Sequence, residues 1–315
     1  MTLHVVVGSG PIGTATAELL AREGHSVRLV TRSGGRNNSD RVRCFAADAN
    51  DTGRMIEVAK GAAALYNCAN PPYHRWPTEW PPLAASLLRT AERTGAVLVT
   101  MSNLYGYGPT SHAMTENDPL RASGVKGRTR ALMWAEAAQA HAAGRVRVAE
   151  ARASDYFGPG VRAQSVTLGE RTLPPLIQGR SIHVFGNPDV PHSWTYVPDI
   201  ASTLVRIATE ERAWGHAWHV PTNPPMTQRE VLNTVARIAG RAAPQIRPYS
   251  DWALRLAGLF DPDVRELGEI RYQFDRPFVI DSSAFQSNFG TGPTPMSDAL
   301  RTTVDWWTLQ VPRVH

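Results

Sequence analysis

The residues with the clearest chemical meaning form a glycine loop near the start of the chain. A β-branched run, Val5-Val6-Val7, precedes this loop, and an alanine-rich helical pattern follows it. Gly8 permits a tight turn, Gly10 lets the backbone approach a pyrophosphate, and Gly13 lets the helix pack closely on the strand. Free N–H groups at the start of the helix favour phosphates. The pattern predicts a dinucleotide site formed by Gly8, Ser9, Gly10, Pro11, Ile12 and Gly13.

The segment after the second predicted strand indicates which dinucleotide is bound. A site for NAD usually has an acidic residue there, which accepts a hydrogen bond from the ribose 2′-hydroxyl. Arg32 and Ser33 occupy this place, and no acidic residue follows before Asp40. A guanidinium forms paired hydrogen bonds with phosphate oxygens, so the segment favours NADP over NAD. The alternative is an arginine that only faces solvent.

The ends of the third and fourth predicted strands would complete the adenosine side of this site. Asp48 can accept a hydrogen bond from the adenine amino group, and small residues after the fourth strand would flank the ribose. For Asn70 the alternative is a simple strand-ending turn. The residues predicted to contact the cofactor here are Asp48, Ala49, Cys68, Ala69 and Asn70.

The elements that must position these residues alternate between strand and helix in the first half of the chain. This alternation predicts an α/β fold with a Rossmann-type, doubly wound parallel sheet. Ligands of such sheets bind beyond the carboxyl ends of the strands. The predicted strands are 3–7, 26–31, 42–47, 63–69, 96–101 and 146–152, and the predicted helices are 12–24, 51–60, 78–95 and 123–144.

The second half of the chain is less regular and mostly helical. We expect an NADP-binding domain at 1–165 and a smaller substrate-binding region at 166–315. Parts of that region, about 195–220 and 277–290, are expected to return to the first domain. The predicted helices here are 199–211, 227–240, 250–260, 282–288 and 296–309.

Composition excludes several classes of protein. The chain has 315 residues, 42% of them hydrophobic, and no apolar run long enough to cross a bilayer, so we expect no membrane partner. A net charge of +5 is scattered and matches no nucleic-acid-binding motif. We expect no export signal and no metal site. Cys44 and Cys68 fall in predicted strands, which suggests reduced thiols and a cytoplasmic protein.

Taken together, these motifs resemble those of extended or atypical short-chain dehydrogenases/reductases, of the NAD(P)-dependent epimerase/dehydratase type. The resemblance covers nearly the whole chain. It implies a nicotinamide ring near Gly158 with Tyr156 beside it, a small-molecule substrate, and a monomer or homodimer. The motifs that carry it are the glycine loop, Asp48, 67–69, 102–106, Thr115-Glu116, Pro119, Arg152, 156–160 and 196–201.

One segment departs from this family. Its members have a Tyr-x-x-x-Lys pair early in the helix after the fifth strand, and a serine or threonine just after that strand. The tyrosine exchanges a proton with a hydroxyl/carbonyl couple, and the lysine holds the ribose. This chain has no tyrosine between Tyr107 and Tyr156. Its spacing places the missing tyrosine near 127–128 and the missing lysine near 131–132.

Several residues could replace the missing pair. Lys126 is one of only two lysines among 33 basic residues, and it begins a predicted helix, where a cation is disfavoured. A lysine there can act as a general acid, although it could also be a solvated surface residue. Arg128 and Arg130 could contact the ribose or an acidic substrate. The residues predicted to be catalytic are Lys126, which would also contact the cofactor, Tyr107, Tyr73 and Ser102.

Three functions follow from these observations. The first is an NADP-dependent oxidoreductase that reduces a carbonyl, or a related group, of a small organic metabolite, such as one of secondary metabolism, with a non-standard proton donor. The second is an epimerase or dehydratase that oxidises its substrate transiently. The third is a redox-silent relative, such as a lyase, a cyclase or a nucleotide-sensing protein, because the fold alone does not fix the chemistry.

Overall fold

A seven-stranded parallel sheet forms the first of two units into which the chain divides. The computed structural model describes residues 1–35 and 39–310. The first unit comprises Met1–Gly108, Glu116–Ala153 and Pro198–Val220. The second comprises Pro109–Thr115, Ser154–Val197 and the chain from Pro221 onward. Residues 198–220 therefore belong to the first unit and residues 277–290 to the second.

The helices and strands follow the alternation predicted for the first half of the chain. The strands are β1 Leu3–Val7, β2 Ser26–Thr31, β3 Val42–Ala46, β4 Ala62–Asn67, β5 Val97–Asn103, β6 Val148–Ala153, β7 Asp155–Phe157, β8 Ile182–Val184, β9 Pro191–His192, β10 Trp194–Tyr196, β11 Ala217–His219, β12 Met226–Thr227 and β13 Ile246–Pro248. The helices are α1 Pro11–Arg22, α2 Thr52–Ala59, α3 Trp76–Thr94, α4 Val125–Ala142, α5 Leu173–Ile177, α6 Val197–Thr209, α7 Gln228–Ile238, α8 Asp251–Phe260, α9 Pro262–Ile270, α10 Tyr272–Asp275, α11 Ser283–Phe289 and α12 Met296–Gln310.

The order of strands in the sheet confirms the predicted doubly wound fold. It is β11-β6-β5-β4-β1-β2-β3, and every neighbouring pair is parallel. β2 and β3 lie on one side of β1 in the sheet, and β4, β5, β6 and β11 lie on the other side. Since such crossovers are right-handed, α1 covers one face, while α2, α3 and α4 pack side by side on the other. The carboxyl ends of β1 and β4 are therefore neighbours.

The sheet strands are apolar because both of their faces are covered. Val5, Val6 and Leu65 are fully buried, and Val99 of β5 is buried as well. Continuous apolar runs of this kind are typical of central parallel strands. The amino-acid pattern therefore determines which strands are central.

The second unit has its own hydrophobic core. It consists mainly of side chains from β7, β10, α5, α7 and α12, including the buried Phe157, Trp194 and Leu300. The short strands of this unit form three two-stranded pairings, β10–β7, β12–β9 and β13–β8. A capping box of Thr227 and Glu230 begins α7, as its sequence favours. These short strands and α9 were not predicted.

The helices and the two cysteines were the basis of the expectations about membrane and redox environment. No helix within residues 1–35 and 39–310 combines the length and apolarity needed to span a bilayer. Cys44 and Cys68 are both free thiols, and each is half-buried. Cys68 follows β4 rather than lying within it.

A buried histidine lies near the amino end of β1, whereas the glycine loop follows the carboxyl end of that strand. His4 of β1 is 2% exposed, and its ring nitrogens lie 2.9 Å from the Thr2 hydroxyl and 3.2 Å from the Tyr66 hydroxyl. Burial, and secondarily the neighbouring His25, lowers the pKa of His4 from 6.5 to about 4. The folded protein therefore keeps this ring neutral at pH values at which the unfolded chain protonates it.

We expect His4 to weaken the fold in acid. As the pH falls from 6.5 to about 4, the unfolded chain binds the proton first, so the free energy of unfolding decreases through this window. His4→Gln, which keeps polar contacts but does not titrate, should flatten that part of the curve. Denaturant unfolding of both proteins at a series of pH values measures the difference. An identical slope in wild type and variant would contradict this assignment.

Candidate functional site

The glycine loop between β1 and α1 is a close-packed turn with one open side. Gly8 has φ +101°, and a Cβ there would lie 2.6 Å from the carbonyl oxygen of Cys68. A Cβ on Gly13 would lie 1.9 Å from the carbonyl oxygen of Gly8. By contrast, a Cβ on Gly10 would meet nothing within 4 Å. Two of the glycines are required for packing, and the third leaves room for a ligand.

The start of α1 has the properties of an anion site. Gly10 is the N-cap and forms no side-chain cap, Pro11 occupies the first turn, and that turn contains no acidic residue. The first N–H groups of a helix have no partner within the helix and carry partial positive charge. Together with the open side at Gly10, this arrangement fits the pyrophosphate of a dinucleotide.

The end of β4 lies beside the glycine loop, as the predicted site requires. The Cys68 N–H donates to the carbonyl of Val7 at 2.9 Å, and the Ala69 N–H donates to the Asn67 side chain at 3.3 Å. Asn70 is exposed. The structure therefore brings the loop together with the small residues after β4.

Three of the four candidates after β2 and β3 are exposed at the ends of their strands. Arg32 and Ser33 directly follow β2, and both are exposed. The Asp48 carboxylate accepts from the backbone N–H and the side-chain amide of Asn50, at 2.9 and 3.0 Å. Ala49 is buried. Two donors already bind one oxygen of Asp48, which leaves its other oxygen for an adenine amino group.

The first turns of α4 carry two buried cations. Lys126 is 1% exposed and Arg130 is 7% exposed. They are four residues apart and therefore lie on one face of the helix. The solvated alternative for Lys126 is wrong, because the packing of α4 encloses this side chain.

The two buried cations of α4 do not coincide with the places predicted for the missing Tyr-Lys pair, 127–128 and 131–132. A Cβ added to Gly127 would lie only 2.4 Å from the Tyr105 carbonyl oxygen. No side chain larger than the hydrogen atom of glycine fits at this position. Arg128 is exposed, and so is Leu132, at 64%. The inward positions with the four-residue spacing of that pair are 126 and 130.

Aromatic rings surround the two buried cations. The Lys126 ammonium lies 5.9 Å from the centre of the Tyr73 ring. The Arg130 guanidinium lies 4.7 Å from the Trp76 ring and 4.1 Å from the Trp80 ring. A cation over an aromatic face gains about 2 kcal/mol or more where water is excluded. Ring faces therefore help to stabilise charge that burial would otherwise disfavour.

The rings also hold one another. Tyr73 and Tyr105 share a hydrogen bond of 2.7 Å between their hydroxyls, and Trp76 stacks on Tyr105 with 5.8 Å between ring centres. The Arg130 Nη1 donates to the carbonyl of Met101 in β5 at 3.4 Å. We call Tyr73, Trp76, Trp80 and Tyr105 the aromatic cluster. Trp76 and Trp80 are four residues apart on α3, as Lys126 and Arg130 are on α4. This shared spacing is the sequence pattern that could have indicated the aromatic cluster.

Tyr107 belongs to a separate buried polar network. Its hydroxyl accepts from Arg152 Nη1 at 2.7 Å and lies 2.7 Å from His219 Nε2. Arg152 also donates to Glu150 at 2.7 Å, and the His219 N–H donates to Glu116 at 2.8 Å. Burial raises the pKa of Tyr107 to about 12, although Arg152 acts in the opposite direction. A hydroxyl already bound to two buried partners is poorly suited to exchange a proton with a ligand.

The remaining candidates have different surroundings. Ser102 is buried within β5, which extends to Asn103, and pairs in register with Arg152. Tyr156 and Gly158 belong to the second unit. Gly158 has φ +142°, and a Cβ there would lie 3.2 Å from the Tyr196 ring. Gly158 therefore meets both the conformational and the packing requirement for glycine.

Comparison with known families identifies one match. The sequence profile of the NAD-dependent epimerase/dehydratase family matches residues 4–220. The search of curated proteins found no significant match to the sequence. The family match covers the sheet, the glycine loop and both buried cations.

Solved structures with the same fold include three that cover nearly the whole chain. A dTDP-glucose 4,6-dehydratase from Bacillus anthracis in complex with NAD has a TM-score of 0.81 and 17% identity, covering 98% of this chain and 97% of its own. A UDP-glucose 4-epimerase from Thermotoga maritima with UDP-glucose has a TM-score of 0.80 and 16% identity, with coverages of 98% and 99%. A UDP-glucuronic acid 4-epimerase from Bacillus cereus with NAD has a TM-score of 0.78 and 14% identity, with coverages of 98% and 100%. At these identities the likeness establishes the fold.

We expect Tyr107→Phe to reduce stability. Removing the hydroxyl leaves a buried N–H of Arg152 without that acceptor and the buried Nε2 of His219 without that partner, which costs about 1–3 kcal/mol. Tyr249→Phe is the matched control, because this half-buried ring stacks on His183 and keeps that contact. Denaturant unfolding measures both changes. Equal stability of the Tyr107 variant and wild type would contradict a structural role for the hydroxyl.

Proposed function

Because the chain belongs to the NAD-dependent epimerase/dehydratase family, we propose that it transiently oxidises a hydroxyl-bearing carbon of a small molecule and then returns the hydride. The product is then an epimer or a dehydrated form of the substrate. The observation that carries this proposal is the glycine loop, whose open side at Gly10 and uncapped helix start fit a pyrophosphate. Net reduction of a metabolite, the first of the sequence-based functions, has less support, since the family and the similar folds are of the epimerase and dehydratase type.

The proposed mechanism assigns cofactor binding and proton transfer to different residues. A bound nicotinamide dinucleotide supplies an acceptor and donor of hydride. The glycine loop and α1 bind its pyrophosphate, and the residues after β2, β3 and β4 bind its adenosine. Lys126 moves the proton: its amine takes the proton of the substrate hydroxyl during oxidation, and its ammonium returns that proton to the carbonyl oxygen. In this proposal Lys126 replaces the tyrosine of the Tyr-x-x-x-Lys pair.

Arg130 has a positioning role in this proposal. Its contacts with Trp76, Trp80 and the Met101 carbonyl fix α4 against α3 and β5. Lys126 lies one turn earlier on the same helix, so Arg130 fixes the place of its ammonium as well. An arginine keeps its charge at any pH of interest, and it therefore stays bound to the rings while Lys126 changes protonation.

The first prediction concerns Lys126. Lys126→Met should lower turnover by about 10²- to 10⁴-fold, the usual contribution of a general acid–base group. Lys60→Met is the matched control, because Lys60 is the other lysine and is exposed. Candidate substrates are UDP-glucose and dTDP-glucose with NAD⁺ or NADP⁺, followed by other hydroxylated metabolites, with products measured by mass spectrometry. Wild-type turnover by the Lys126 variant would overturn this role.

A second prediction concerns the choice of cofactor. Arg32 and Ser33 support NADP, whereas the similar folds bound to a nicotinamide cofactor contain NAD. If Arg32 binds the 2′-phosphate, Arg32→Ala should weaken NADPH binding about tenfold or more and leave NADH binding unchanged. Fluorescence titration measures both affinities, and Arg41→Ala serves as a control at an exposed arginine beside the other end of β2. Tighter binding of NADH than NADPH by the wild type would overturn the NADP preference.

Other expectations stay predictions. They are the assignment of cofactor and substrate binding to separate parts of the chain, a cytoplasmic location, and a monomeric or homodimeric state. The redox-silent alternatives also stay open to the turnover experiment. Cofactor binding without any turnover or hydride transfer would favour them.

A further inference from the structure

The second unit contains a buried histidine–carboxylate pair that the proposed chemistry does not use. His192 Nε2 lies 2.7 Å from Asp155 Oδ2, and His192 Nδ1 lies 3.1 Å from the carbonyl oxygen of Gln273. Asp155 begins β7 and His192 ends β9, so the two residues come from different pairings of short strands. Tertiary structure brings together groups that are 37 positions apart.

The hydrogen-bond partners of His192 determine how many protons the pair holds. A carbonyl oxygen only accepts, so Nδ1 of His192 must carry a hydrogen. A neutral ring with that hydrogen has only a lone pair at Nε2, which an ionised carboxylate would repel. The 2.7 Å approach therefore requires one more proton, held either on Nε2 or on the Asp155 carboxyl.

The histidine is enclosed and rigidly held. Its side chain is 1% exposed and lies parallel to the Phe274 ring, at 5.1 Å between centres. Trp194 and Phe278 contact its ring at 4.4 and 5.4 Å. The backbone on either side is fixed by hydrogen bonds from Ser193 N–H to the Phe278 carbonyl and from Phe278 N–H to the Pro191 carbonyl, at 2.9 and 3.0 Å.

The carboxylate is the part of the pair that reaches the surface of this unit. The Asp155 side chain is 19% exposed, against 1% for His192. The shared proton can therefore enter and leave only through Asp155. The arrangement has the order of an acid–base site: an accessible group, a buried ring that orients it, and a carbonyl that fixes the ring.

Tyr272 interacts electrostatically with Asp155, and Glu269 in turn with Tyr272. Burial raises the pKa of Tyr272 at the start of α10 to about 12, with Glu269 of α9 and Asp155 adding to the effect. Tyr272 is therefore a neutral phenol at ordinary pH and does not compete for the proton. Glu269 is half-buried and acts on Tyr272 through its charge.

We propose that Asp155 and His192 form a proton-exchange site for a hydroxyl or carbonyl group of a bound small molecule. Asp155 is the group that contacts this molecule, and His192 is the positioning residue. As an acid, the pair gives its shared proton to a carbonyl oxygen and is left as a neutral imidazole beside a carboxylate. As a base, the carboxylate of the charged pair accepts a hydroxyl proton. Its use in turnover rests on the proposed function, but the presence of its proton does not.

Nuclear magnetic resonance of the full chain, with ¹⁵N in the histidine rings and ¹³C in the aspartate carboxyls, tests the proton directly. Near pH 7 we expect a strongly deshielded bridging proton at His192, with both ring nitrogens hydrogen-bonded. Asp155→Asn keeps the size of the side chain and can donate to Nε2, so the variant should fold and lose this signal. Asp189→Asn, at an exposed aspartate bound to Arg229, should retain it. An unprotonated Nε2 beside an ionised Asp155 in the wild type would overturn the proposal, as would an unchanged signal in Asp155→Asn.

Carbodiimide coupling with glycine ethyl ester tests access to the proton. The reagent takes the proton of a carboxyl and binds its oxygen, and the amine then displaces the urea to form an amide. We expect Asp155 to be modified, because the reagent can take the shared proton at its oxygen, and Asp189, which is exposed and bound to Arg229, serves as the reference site. Peptide mass spectrometry measures the ratio. Modification of Asp189 without Asp155 would overturn the accessible role, and neither experiment depends on cofactor binding.

Discussion

The packing of Gly13 against the carbonyl of Gly8 is the constraint on which the first unit depends. This contact leaves no room for a Cβ, so α1 can begin close to the end of β1 only if both positions are glycine. The same turn presses Gly8 against Cys68 and thereby fixes the end of β4 beside the loop. Parallel sheets bind ligands beyond the carboxyl ends of their strands. The contacts of Gly8 and Gly13 position the ends of β1 and β4 there. Cofactor binding and fold have a common physical cause here.

Burial of charge is the second constraint. The first unit encloses Lys126 and Arg130 near aromatic faces, and it encloses Arg152 between Glu150 and Tyr107. A buried charge is tolerated only with partners, and these two arrangements supply them in different ways. Arg152 has a carboxylate and a phenol, which hold it permanently. Lys126 lies near the Tyr73 ring, at 5.9 Å from its centre, and our proposal assigns it the proton transfer.

The chain is therefore an enzyme of the NAD-dependent epimerase/dehydratase family whose sequence lacks the Tyr-x-x-x-Lys pair of that family. The family implies a tyrosine and a lysine four residues apart, and this chain has a lysine and an arginine at the inward positions with that spacing. The fold is preserved because the glycine loop and sheet do not depend on that pair. In our proposal Lys126 takes the place of the tyrosine as proton donor, and this replacement does not involve the strands of the sheet.

The amino-acid sequence by itself determined the features that depend on neighbouring residues. Strand runs, helical periods, the glycine loop and the alternation of elements are local, and the structure confirms them. Only the tertiary structure decided which polar side chains are enclosed. Lys126 and Arg130 are buried because α4 packs on α3 and β5, which spacing along the chain does not reveal. Tyr107 meets Arg152 and His219, and Asp155 meets His192, across long separations in the chain. Such contacts depend on how elements pack, and no spacing within one segment encodes them.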